Sequence, residues 1–197
     1  MAAINPTRIT GANFKGYALD LHTIKSEFIG YDSHGNPCFD TKHTELGALL
    51  YRLKYKKEKG ALDEIVDTAS KFIVSKEWAL DLIVPVPPSQ ASREFQPVYE
   101  FAKRIGSRLN IRVSLDSVAK QKKTPELKNV SGYTERIKLL KGAFAVNERI
   151  LGGKRVLLLD DLYRSGATLD VIADTIIKEG EAEKVYALTI TRTRRNI

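Results

Sequence analysis

From about residue 44 onward the apolar positions of this chain keep changing their period. Leu46, Leu49, Leu50 and Leu53 recur at helical spacing behind Thr44, a residue suited to cap a helix. Leu62, Ile65, Val66, Ala69, Phe72 and Ile73 repeat the pattern. Leu82-Ile83-Val84 is instead a short unbroken apolar run, as in a strand buried on both faces, and Pro85-Val86-Pro87-Pro88 ends it sharply. A polar segment over 89–96 leads to a third helical face on Val98, Phe101, Ala102, Ile105 and Leu109. Strands are predicted over 113–118, 143–146, 156–159 and 185–190, and a short helix from residue 135 that Gly142 ends. Leu169, Ile172, Ala173, Ile176 and Ile177 make a last helical face, with Gly180 placed as its cap. Helix and strand alternating in this way predict an α/β fold, a mostly parallel sheet flanked by helices.

The first 43 residues read differently. Residues 1–14 show no periodicity and are expected to be a loose arm. Tyr17, Leu19 and Leu21 alternate with Ala18, Asp20 and His22, the period of a half-buried strand. A second extended piece lies around 27–31, residues 32–37 are dense in turn formers, and Phe39 resumes a strand. The expected organisation is an arm and small antiparallel β unit over 1–43, then an α/β core over 44–197.

Composition narrows the chemistry. A chain of 197 residues, 43% hydrophobic and 28% charged, is enough for one domain with a real core. The net charge of +8 favours an anionic partner, nucleic acid or a phosphorylated small molecule, unless it serves solubility alone. The single cysteine, Cys38, excludes an internal disulfide and a cysteine-based zinc ribbon. No apolar run approaches the roughly 20 residues of a membrane span, and residues 1–15 lack a signal-peptide core; a cytoplasmic protein without membrane contact is expected. His22, His34 and His43 read as ordinary surface or turn residues.

One stretch, Arg155 to Leu169, concentrates the chemistry. An apolar strand delivers Asp160 and Asp161 to its carboxyl end, where ligands of open α/β sheets bind. The loop that follows carries Arg164, Ser165, Gly166, Ala167 and Thr168 ahead of a helix. Glycine lets such a loop turn, and its N–H groups together with the helix N-terminus and the two hydroxyls make a phosphate site. The carboxylates sit one short reach away, suited to sugar hydroxyls. A strand, small-residue turn and helix also occur without a ligand, and it is the complete run that favours a site. The P-loop, Gly-x-Gly-x-x-Gly, two-histidine zinc and nucleophile-elbow patterns are absent. The polar, lysine-rich connection over 119–134 has the length of a functional lid. Lys56, Lys57 and Lys59 fit a solvated helix end.

The acidic run resembles the phosphoribosyl diphosphate (PRPP) motif of type I phosphoribosyltransferases, and the likeness extends to the ComF-like branch. Leu53-Lys54-Tyr55 after an amphipathic helix, Ile83-Val84-Pro85-Val86-Pro87 followed by a polar loop with Arg93 and Phe95, and Glu135-Arg136 ahead of Gly142-Ala143-Phe144 are its other matches. Together they cover about residues 44–191. Arg164-Ser165-Gly166 stands where that family usually has Thr-Thr-Gly, and the zinc ribbon common in the branch has no cysteines to build it; residues 17–40 would form a metal-free hood instead.

The resemblance implies a Mg²⁺-dependent phosphoribosyltransferase. PRPP would seat its 5′-phosphate on residues Arg164 to Thr168, while Asp160 and Asp161 hold the ribose hydroxyls directly or through the metal. Arg93 and Lys54 would contact pyrophosphate, and the lid with Lys122, Lys123 and Arg136 would close over the site. The acceptor would be a small nitrogenous molecule. A PRPP-binding regulator with little turnover, and a nucleic-acid-associated protein binding weakly and salt-sensitively, are the alternatives. A homo-oligomer is expected.

Overall fold

The computed structural model describes residues 1–89, 94–122, 124, 130, 132–147 and 149–194, with the side chains of residues 59 and 149 outside the description. Arg93 and Lys123, expected at the pyrophosphate and the lid, therefore lie outside the described residues.

Nine-residue strands form the centre. β9 (Arg155–Tyr163) pairs in parallel with β10 (Lys184–Arg192) on one side and with β5 (Leu82–Pro85) on the other. β6 (Arg112–Val113) extends the sheet beyond β5. On the far side of β10 lie β2 (Phe14–Leu21), parallel to it, and β1 (Thr7–Thr10), antiparallel to β2. The sheet thus has six strands in the order β1-β2-β10-β9-β5-β6.

This corrects the expected loose arm. Residues 7–21 are not outside the core but form one wing of the main sheet. The reason is the pairing of β2 with β10, whose residues lie far along the chain and whose partnership leaves no local signature. Gly16 makes the approach possible: a Cβ there would meet the Ala187 carbonyl oxygen at 1.8 Å.

The small antiparallel unit is only the hairpin of β3 (Thr23–Tyr31) and β4 (Pro37–His43), a separate two-stranded sheet. Asp32 closes its turn, accepting from the backbone N–H groups of His34 and Asn36 at 2.8 Å each.

Strand alternation divides the core into two layers. Leu157 and Leu159 of β9, with Leu188 and Ile190 of β10, face α1 (Glu45–Lys56), α2 (Lys59–Val74) and α3 (Pro97–Leu109). Val156, Leu158, Val185 and Ala187 face α5 (Ala167–Lys178) and α4 (Tyr133–Leu140). Each such fully buried side chain stabilises by roughly 1.5–3 kcal/mol. A second small sheet, β7 (Val118–Lys120) with β8 (Phe144–Val146), lies beside α5. The left-handed residue after α5 is Glu181 (φ 53°), not Gly180.

Thr44 ties the hairpin to the core. Its hydroxyl accepts from Gly47 N at 3.0 Å, capping α1, and donates to the Leu21 carbonyl at the end of β2 at 2.5 Å. A cap of this kind is worth about 1 kcal/mol. It also fixes where the last turn of α1, with Lys54, meets the sheet.

Candidate functional site

β9 outruns its neighbour. β5 ends at Pro85, opposite Leu159, and the Val86 N–H makes a last bond to the Leu159 carbonyl at 2.8 Å. Beyond Leu159 only β10 accompanies β9, and a crevice opens. Asp160 and Asp161 stand there inside the strand, which continues to Tyr163, so the loop is shorter than the sequence suggested: Arg164 to Gly166.

Alternation sends the two acids to opposite faces. Asp161 follows Leu157 and Leu159 toward α1, and its carboxylate meets Lys54 Nζ at 2.5 Å, both groups being largely covered. Asp160 follows Val156 and Leu158 toward α5. Its Oδ1 accepts from the Asp161 N–H at 2.8 Å. Burial, and then the adjacent Asp161 charge, raise the Asp160 carboxyl above its ordinary range, while the Asp161 N–H and Lys54 act the other way. Lys54, expected to contact pyrophosphate, is therefore paired with an acid of the motif.

Gly166 shapes the turn into α5. Its φ of 84° suits glycine, and a Cβ would meet the Tyr163 hydroxyl at 2.7 Å. It occupies the N-cap position of α5 without a side chain, so the helix N-terminus stays open toward the crevice. Ser165 Oγ accepts from Ala167 N at 3.5 Å and from Arg136 Nη1 at 3.3 Å. Arg136 also donates from Nε to the Val130 carbonyl at 3.0 Å. The structure thus places this expected lid residue on α4, bracing the loop that leads into α5. Asp170, in the first turn of α5, fixes that bracing: it accepts from the Tyr133 hydroxyl of α4 at 2.8 Å and from Ala12 N at 3.0 Å.

Beside this loop lies a cavity of about 520 Å³, within the range of small-ligand pockets. Asp160, Asp161 and the whole run Arg164 to Thr168 contribute to its wall, as do Lys54, Lys120, Arg136, Tyr55, Tyr99 and residues 86–89. Lys54, Lys120, Arg136 and Arg164 outnumber the two carboxylates, an electrostatic balance suited to an anion. Lys122 is exposed, does not line the cavity, and has its ammonium beside Gly142.

Two residues of the site region are not singled out by the sequence, although Lys120 belongs to the expected lid. Lys120 is the half-buried lysine of the connection, with a pKa lowered by burial. His22 is not an ordinary surface residue. Its Nδ1 lies 3.3 Å from Thr191 Oγ1, whose hydroxyl donates to the Asp161 carbonyl at 3.2 Å. Burial first, and then the neighbouring His43, Lys54 and Arg164 against Asp161, bring its pKa from 6.5 to about 4.

Among the described residues no cluster of three or more His, Cys, Asp or Glu could hold a metal ion, and no helix is long and apolar enough to cross a membrane.

The chain thus has an α/β fold with a largely parallel sheet, whose central strand carries two acids into a crevice ahead of a hydroxyl-glycine loop at a helix N-terminus. In sequence the chain is similar to the competence protein ComFC of Bacillus subtilis (strain 168), with 29% identity over an alignment of 133 residues that covers 64% of this chain and 49% of that protein. The match spans about half of that relative's length. No protein-family model matches the chain. Similar solved structures include a purine phosphoribosyltransferase from Pyrococcus horikoshii Ot3 (TM-score 0.42, 16% identity, covering 68% of this chain and 83% of that one). Adenine phosphoribosyltransferases from Thermoanaerobacter pseudethanolicus (TM-score 0.46, 14% identity, 86% and 95% covered) and Saccharomyces cerevisiae (TM-score 0.46, 16% identity, 83% and 83% covered) are similar as well.

Proposed function

We propose that the chain binds PRPP and transfers its phosphoribosyl group to a nitrogenous acceptor, releasing pyrophosphate. The observation that carries this reading is the single cavity that brings together Asp160, Asp161, the run Arg164 to Thr168 and a surplus of cations. The 5′-phosphate would lie on the α5 N-terminus, where Ser165 and Thr168 add hydroxyl donors and Arg136 holds Ser165 in place. The carboxylates would accept from the ribose hydroxyls. Reaction breaks the C1–O bond to pyrophosphate, which leaves with the electron pair, and forms a C1–N bond to the acceptor. The protein's contribution would be position and charge: Lys54 and Lys120, which both line the cavity, would face the negative charge that gathers on the leaving group.

The donor set fits Mg²⁺. Two carboxylates, with no third acid, histidine or cysteine clustered with them among the described residues, match an ion that takes its remaining oxygens from phosphates and water. Asp160 or Asp161 would hold it, at Asp161 in exchange for the Lys54 ammonium, and the ion would supply charge neutralisation on the pyrophosphate.

Calorimetry with PRPP and Mg²⁺ tests binding, and pyrophosphate release against a panel of bases and amines tests turnover. Binding with no release from any acceptor would support the regulator instead; no binding at all would remove both readings.

A further inference from the structure

The hairpin of β3 and β4 carries its apolar side outward. Phe28 is 53% exposed, Phe39 54% and Tyr31 72%. Phe28 lies edge-on to Tyr31 and to Phe39, with ring centroids 5.1 and 5.8 Å apart, so the three rings form one cluster on one face. Alternation along β4 puts His43 on the same face as Phe39. His43 stacks on Tyr51 at 5.3 Å, and Tyr51 meets Tyr55 at 4.9 Å. The aromatic surface therefore runs from the hairpin tip to the last turn of α1. The other face of the hairpin carries the Lys25–Glu27 ion pair.

A two-stranded hairpin alone is marginal in water and needs its apolar face covered. Here no described residue of the chain covers the cluster, and β3 and β4 pair with no third strand among the described residues. Charge and area indicate what does. Residues 23–43 hold Lys25 and Lys42 against Glu27, Asp32 and Asp40, one net negative charge in a chain of +8. A nucleic acid or an anionic lipid surface would be drawn to the basic body rather than to this hairpin. A second copy of the chain meets the opposite condition: it is repelled by the body and least repelled here. A fully covered aromatic side chain buries about 150–250 Å², so Phe28, Tyr31, Phe39, Tyr51 and Tyr55, between 40% and 72% exposed, offer roughly 500 Å². Two such faces together remove roughly 1,000 Å² from water, the size at which specific interfaces begin. The Phe28–Phe39 cross-strand pair can face its own image across a two-fold axis, as an isologous contact requires.

We propose that this aromatic face is the contact between two copies of the chain, paired hairpin to hairpin. The test is sedimentation velocity over about 1–100 μM protein, because association follows mass action. Wild type is expected to be a dimer, and Phe28→Glu with Phe39→Glu to raise the dissociation constant at least roughly 30-fold, the loss of a central anchor. Circular dichroism and heat with PRPP, unchanged in the variant, exclude unfolding as the cause. As a second readout, Phe39→Cys in a Cys38→Ser background is expected to form an oxidised covalent dimer. A wild type that stays monomeric, or a dimer that the two substitutions leave intact, overturns the proposal. So does a monomer whose binding to a single-stranded oligonucleotide is lost with Phe28 and Phe39, which would assign the face to nucleic acid.

Discussion

His22 makes an acid-sensitive contribution to stability that the structure sizes. Its ring lies between β10 and the hairpin, with Nδ1 at Thr191 and the ring of His43 edge-on at 5.1 Å. The folded protein protonates it only near pH 4, against 6.5 for a free histidine. As pH falls below about 6.5 the unfolded chain therefore takes up a proton that the folded chain refuses, and stability drops until about pH 4, where both states are protonated. The gap between 6.5 and about 4, at about 1.4 kcal/mol per pH unit, would amount to about 3–4 kcal/mol for a fully covered ring, and the partial exposure of His22 reduces it by screening to about 2 kcal/mol. That is a large share of the roughly 5–15 kcal/mol that holds a domain folded. His22→Asn keeps an amide donor for Thr191 but cannot titrate. Urea unfolding of both proteins in steps from about pH 7 to pH 4 removes the carboxylate titrations they share. Wild type is expected to lose about 2 kcal/mol more than His22→Asn over this range. Parallel curves would refute the reasoning, because His22 would then protonate equally in both states.

Three further substitutions separate scaffold from site. Gly16→Ala places a methyl on the Ala187 carbonyl, and a loss of at least about 3 kcal/mol in urea unfolding is expected as β2 is pushed from β10. Gly166→Ala forces a side chain into φ 84° against the Tyr163 hydroxyl; at about 1–2 kcal/mol for the left-handed conformation, PRPP affinity by calorimetry is expected to fall roughly tenfold. Arg136→Met keeps the aliphatic stem but releases Ser165; the same titration is expected to show affinity falling roughly 10- to 100-fold, the scale of a charged hydrogen bond.

The helices were legible because each is a local pattern. Thr44, Leu46, Leu49, Leu50 and Leu53 announce α1 from within a single stretch of chain, and the structure buries all four leucines. The acid-hydroxyl-glycine run was legible for the same reason. What stayed hidden depends on partners distant in sequence. The Lys54–Asp161 ion pair joins a helix end to a strand that pass each other only in the fold. His22 looked like a surface residue because its burial comes from Thr191 and from His43, neither of which its own periodicity reports. β2 looked like half of a small N-terminal unit because alternation shows that a strand has two faces and not which strand lies beside it. Arg136 was assigned to the lid, and only the packing of α4 on α5 shows its guanidinium at Ser165.

The central claim is that Asp160, Asp161 and the run Arg164 to Thr168 form a PRPP site. Isothermal calorimetry with PRPP, with and without Mg²⁺, tests it most directly, on wild type and on Asp160→Asn with Asp161→Asn. The expected result is a saturable heat that requires Mg²⁺ and is abolished or greatly weakened in the folded double variant. A folded wild type giving no heat with PRPP and Mg²⁺, or a double variant that binds as wild type does, would contradict the claim.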